Sequence, residues 1–271
     1  MKKITLVLLL FSLAATAQKL PNIQQGSLYA PANIKIDGKT TEWNNQFQAY
    51  NHATDIFYTI SNDDDNLYLV VHATDPDVLT KITNCGVVFR VNASGKKSDE
   101  NAASVTFPIF ELQYHNKPYI RFTIMGQLAS QRKAAALNPD SVSRVSNKKL
   151  HSNEKFIRTS GIPGIDTLLS IYSSEGIKVS EAFDNTMAYT YELAIPLKHL
   201  KLSTVNPTKF AYHILLPGIN VDRDFGITAT KNANGVFVVS LAAGAEAPKG
   251  DHLPAVTSTT DFWGEYMLVK K

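Results

Sequence analysis

From residue 50 onward, apolar and polar positions alternate with a period of two far more often than 3.6, the signature of strands with one buried face. Ile56, Tyr58 and Ile60 alternate with other residues, and Leu67 to Ala73 follows the polar stretch Ser61-Asn62-Asp63-Asp64-Asp65-Asn66, which predicts a hairpin. The same pattern predicts strands at Val87 to Val91, Val105 to Leu112, Tyr119 to Met125, Ile177 to Phe183, Tyr189 to Ile195, Phe210 to Leu216, Val236 to Leu241 and Tyr266 to Val269. Helical signal is thin: Pro196 to Leu200 fits one short turn, and Leu128 to Leu137 is alanine-rich. Roughly ten short strands separated by turns predict an all-β, two-sheet antiparallel sandwich in a single domain.

The N-terminus breaks this pattern. Lys2 and Lys3 precede the apolar run Ile4 to Leu13, and Ala15-Thr16-Ala17 supplies small residues at the positions a signal peptidase reads. Residues 1–17 are therefore expected to be a cleaved export signal, with the domain over 18–271. The run is about half the length a membrane-spanning helix needs. Removing both lysines leaves 25 basic against 24 acidic residues (27 minus 2, against 24), so no general pull on nucleic acid is expected. Cys85 is the only cysteine; no intramolecular disulfide can form, and a free thiol near a strand start is expected.

Four segments are more specific. Ile34-Lys35-Ile36-Asp37-Gly38-Lys39-Thr40-Thr41-Glu42-Trp43 is an extended run into an Asp-Gly turn, then a carboxylate and an indole at fixed offset. Asp65-Asn66-Leu67-Tyr68 leads through a strand to Thr74-Asp75-Pro76-Asp77-Val78. Later come Tyr189-Thr190-Tyr191-Glu192-Leu193-Ala194-Ile195-Pro196 and Asp261-Phe262-Trp263-Gly264. In this order the four resemble the family 9 carbohydrate-binding modules, with their "I-D-G-x-x-x-E-W" opening, "D-x-N-L-Y" strand ending in "D-P-D", and "Y-E-x-A-I-P" strand. They span roughly residues 33 to 269. The resemblance implies a jelly-roll-like sandwich that binds a poly- or oligosaccharide without cleaving it, on aromatic platforms, with structural Ca2+ often held near the sandwich edges.

Each candidate residue admits two readings. Asp37, Gly38, Glu42 and Trp43 read as a structural motif, with Trp43 packed under the turn. Trp263, just before the last predicted strand, either closes one end of the core or offers its ring to a pyranose. Tyr29 and Tyr50 are weaker platforms in predicted loops. Asp75 and Asp77 flank Pro76 at a strand end, where a loop can present carboxylates to calcium or to sugar hydroxyls, or where they cap backbone N–H groups. Asp222, Arg223 and Asp224 can bind hydroxyls or a uronate, or form an exposed ion-pair cluster. Asp63 to Asp65 read as a solvated hairpin tip.

Residues 131–158 hold Arg132, Lys133, Arg144, Lys148, Lys149, Lys155 and Arg158 against Asp140 and Glu154. They read as a solvated insertion between strands, or as a patch for acidic glycans or a protein partner. The histidines at 52, 72, 115, 151, 199, 213 and 252 show no metal-ligand spacing, His72 and His213 reading as structural. No nucleophile, phosphate-loop or metalloprotease motif occurs. The leading expectation is an exported carbohydrate-binding protein; an envelope protein-interaction scaffold without sugar affinity and, further off, a glycoside hydrolase are the alternatives.

Overall fold

The computed structural model describes residues 19–109, 138–220, 228–231, 233–234, 237–240 and 252–271. The predicted export signal, the Tyr119 to Met125 strand, the Leu128 to Leu137 helix and the Asp222-Arg223-Asp224 cluster lie outside them.

Two antiparallel sheets face each other, as the period-two pattern predicts. One contains β1 (Ala49–Asn51), β2 (Ile56–Asn62), β3 (Asn66–Ala73), β9 (Tyr189–Pro196) and β8 (Lys178–Phe183), in that spatial order. The other runs β13 (Thr260–Met267), β10 (Lys209–Leu216), β4 (Val87–Asn92), β5 (Ala103–Phe107), β6 (Phe156–Ser160) and β7 (Leu168–Ser170). A separate hairpin pairs β11 (Thr228–Lys231) with β12 (Phe237–Ser240).

The inner faces are apolar and aromatic. Ile56, Tyr58, Ile60, Leu69, Tyr191 and Leu193 meet Phe89, Phe210, Tyr212, Ile214 and Phe262 in one core. A hydroxyl pair links the sheets there, Tyr58 to Tyr212 at 3.0 Å, with the Gln24 N–H donating to Tyr58. A buried phenol needs such a partner.

A second, smaller core lies on the outer face of the five-stranded sheet. Leu28, Ile34, Ile36 and Phe47 fold over Tyr68, Val70 and Ala194, with Trp43 only 6% exposed between them. The Asp37-Gly38 turn is fixed from below, because the Glu192 carboxylate of β9 accepts both backbone N–H groups at 2.9 and 2.8 Å and faces the Trp43 indole N–H at 3.4 Å. Two of the four sequence segments are thus physically coupled. Gly38 has φ +79°, and a Cβ there would sit 2.6 Å from the Glu181 backbone, so no other residue fits the turn without strain. Glu42 lies in a single 3-10 turn, Thr41–Trp43.

Two expectations need correction, and a third follows one of its two readings. Asp75 and Asp77 take the capping reading, though at the start of a helix rather than in a loop: they begin α1 (Pro76–Cys85), which links the sheets. Asp75 caps it, its Oδ1 accepting the Asp77 and Val78 N–H groups at 2.8 and 3.1 Å, and Pro76 occupies the first turn, where a missing N–H leaves nothing unsatisfied. Much of the basic 131–158 segment is also helical, as α2 (Pro139–Asn153), capped by Asn138 and docked on β8. Trp263 lies inside β13 rather than ahead of it, because the strand begins six residues earlier than its apolar run indicates. The short turn after β9 forms as expected, as α3 (Leu197–Leu200); a further short helix, α4 (His252–Thr257), precedes β13.

Candidate functional site

The outer face of the six-stranded sheet carries a row of three ring or planar groups. Strand alternation turns Arg90 of β4, His213 of β10 and Trp263 of β13 outward, and antiparallel register places Arg90 opposite His213 and His213 opposite Trp263. Directly opposed side chains on one sheet face are near neighbours. The His213 imidazole and the Trp263 indole stack, with centroids 4.2 Å apart and planes 11° from parallel.

Two carboxylates clamp the imidazole from both ends. His213 Nε2 lies 2.7 Å from Asp261 Oδ2, and Nδ1 lies 3.1 Å from Asp99 Oδ1. Asp261 precedes Trp263 by two residues on β13 and so shares its face. Asp99 comes from the β4–β5 loop and also pairs with Arg90 at 3.4 Å. Arg90 Nη1 also approaches Nδ1, at 3.3 Å. His213 is 4% exposed, whereas Asp99 and Asp261 reach solvent. One face of the indole is therefore backed by a ring held at both of its nitrogens.

Beyond Trp263 the sheet ends, and a groove of about 470 Å³ opens along β13. One wall is the chain before β1, from Ile23 to Ser27; the other holds Trp263, Glu265 and Met267, with Lys97 and Lys209 at its rim. Gly264 makes this geometry possible. It faces inward opposite Tyr212, whose ring passes where a Cβ would be, 2.1 Å away. The groove wall is anchored too: Gln24 bonds Ile60 through both ends of its amide, and the Tyr266 hydroxyl bonds the Leu28 backbone.

The remaining sequence candidates do not join this site. Asp75 and Asp77 are committed to the start of α1 and do not line the groove. Trp43 is enclosed in the smaller core and does not line the groove. Tyr50 belongs to an aromatic group on the other sheet, where Phe47 stacks on His72 at 5.1 Å beside Phe57, and its hydroxyl donates to Asp55. Tyr29 bridges to Asn62. The Asp63 carboxylate closes the β2–β3 turn, accepting the Asp65 and Asn66 N–H groups. Among the described residues no group of three or more His, Cys, Asp or Glu side chains is placed to hold a metal ion.

One adjacent carboxyl pair does exist, Glu154 after α2 and Glu181 on β8. Both are sealed in the core, where the Tyr189 hydroxyl donates to Glu181. Burial raises both carboxyls, and the charge of Glu181 adds to the effect on Glu154. A sealed pair does not give a hydrolase reading the accessible carboxylates it needs.

Reasoning from sequence singled out Trp263, read His213 as structural and quoted Asp261 only as part of the same segment; it missed Arg90, Asp99, Lys97, Lys209 and Glu265. Alternation alone puts Asp261 and Glu265 on the face of Trp263; the rest required strand register, which one sequence does not specify. Comparison with family models, with curated proteins and with solved structures returns no match for this chain.

Proposed function

We propose that this is an exported, non-catalytic carbohydrate-binding protein that holds a poly- or oligosaccharide against Trp263. The observation that carries the reading is the indole itself: partly buried on an outer sheet face, stiffened behind by His213, and lining a groove that also holds amide, ammonium and carboxylate groups. Pyranose rings stack their C–H faces on such platforms while hydroxyls seek polar neighbours. The ordered family 9-like segments favour the same chemistry. Lys2, Lys3 and the apolar run after them favour export, and no described helix is long and apolar enough to cross a membrane.

The test exploits a spectroscopic asymmetry. Trp43 is enclosed, so a ligand-induced change in tryptophan emission reports Trp263. Titration against a panel of soluble glycans should change that emission and release heat for at least one of them. Trp263→Ala should weaken binding by about tenfold or more, the scale of removing one aromatic anchor. Flat titrations across the panel at millimolar sugar would defeat the reading.

The alternative, an envelope interaction scaffold without sugar affinity, draws on the outward side of α2, where Arg144, Val145 and Lys148 are exposed. A flat glycan panel would favour it.

A further inference from the structure

The charged groups of the groove beside Trp263 are mostly donors. Lys97 and Lys209 each bring an ammonium, and both lean on the same carboxylate: Lys97 Nζ lies 3.6 Å from Glu265 Oε1 and Lys209 Nζ lies 3.3 Å from Oε2. Both oxygens of Glu265 are thus engaged, and the lysines, Lys209 foremost, hold its carboxyl below the usual range. Each ammonium carries three donors and keeps some of them unused. The Gln24 amide is committed to Ile60 and Gly26, and the Gln25 Nε2 donates to the Ile23 carbonyl.

Charge points the same way. Two ammoniums against one carboxylate leave the groove lining at +1. On the far side of the indole, Asp99 and Asp261 are already held by Arg90 and His213. A sugar hydroxyl both donates and accepts, and is best served by a mixed set of partners; a carboxylate or sulfate ester only accepts, and is best served by donors alone.

We propose that the groove takes an acidic glycan, its ring on Trp263 and its uronate carboxylate or sulfate ester between Lys97 and Lys209. The anion takes over part of the contact those ammoniums make with Glu265. This rests on the carbohydrate reading above and specifies its substrate class.

The experiment pairs charged polymers with their neutral forms. Purified protein is titrated with polygalacturonate and its methyl ester, and with a carrageenan and its desulfated product, following Trp263 emission and heat. At low salt, at least one charged polymer should bind about tenfold or more tightly than its neutral counterpart. The gap should narrow at 1 M salt, where screening acts over roughly 3 Å. It should close in Lys97→Gln/Lys209→Gln. Those side chains are 51% and 64% exposed, so the variant should keep its melting midpoint. The carboxylate and sulfate arms then tell which group is read.

Equal binding of charged and neutral forms overturns the acidic assignment and leaves the carbohydrate reading standing. Charged-polymer binding that the double variant does not weaken overturns the lysine site. Silence with all four polymers overturns the acidic assignment; silence across the wider glycan panel as well overturns both readings.

Discussion

At Gly38 a single missing Cβ decides whether the N-terminal segment can seat on the sheet. The turn needs a left-handed residue, and the Glu181 and Ala182 backbone passes within 3 Å of where a side chain would start. Gly38→Ala combines conformational strain with overpacking and should lower stability by about 1–3 kcal/mol, read as a drop in melting midpoint. Tryptophan emission should move to longer wavelength as water reaches Trp43. This motif was legible in sequence, because an Asp-Gly pair followed by a tryptophan has a local geometric meaning. Its anchor was not: Glu192 lies 154 residues beyond Gly38, and a carboxylate in an apolar strand does not announce what it accepts from. His213 was similarly opaque. A histidine in an alternating strand shows which face it takes, not which two carboxylates arrive from a loop and a neighbouring strand.

At the level of elements, α2 shows how composition misleads. Its basic, aromatic-poor sequence reads as a solvated insertion, yet it caps with Asn138 and buries Leu150. What holds it is a side chain acting as a backbone: Asn147 donates to the Phe183 carbonyl at 2.9 Å and accepts the Phe183 N–H at 2.7 Å, completing the margin of β8. Asn147→Ala leaves both groups unpaired and should cost about 1–3 kcal/mol. Amide exchange and limited proteolysis should localise the loss to 139–153 while protection in β10 and β13 persists; uniform loss would show that the helix is integral to the main core. The strands were largely readable from periodicity, since half-buried strands write their pattern locally. The edge strands β1 and β7, and β6 beside β7, were too short or too polar to do so, and β13 was placed late because Asp261, Trp263 and Glu265 face outward and dilute its apolar pattern.

Across the whole molecule, buried acid sets the response to pH. Burial raises Glu192 to about 7, and it raises Glu154 and Glu181 as well. For each, the folded state binds a proton more tightly than the unfolded chain does. Stability therefore falls as pH rises from the unfolded carboxyl range near 4.5 through the folded value, about 7 for Glu192. Melting midpoints should be higher near pH 5 than near pH 8, and Glu181→Gln should flatten that slope. A midpoint that climbs with pH over this interval would contradict the burial of these groups.

The tyrosine pair at the centre of the sandwich reaches beyond the interior. Tyr58 ties Tyr212 to the Gln24 backbone, and Gln24 belongs to the wall that borders Trp263. On the proposed glycan reading, the recess is thereby moulded before its ligand arrives. Occupancy should leave the backbone superimposable on its vacant form, little disorder need be surrendered on association, and selectivity falls to rim chemistry rather than to closure around the guest.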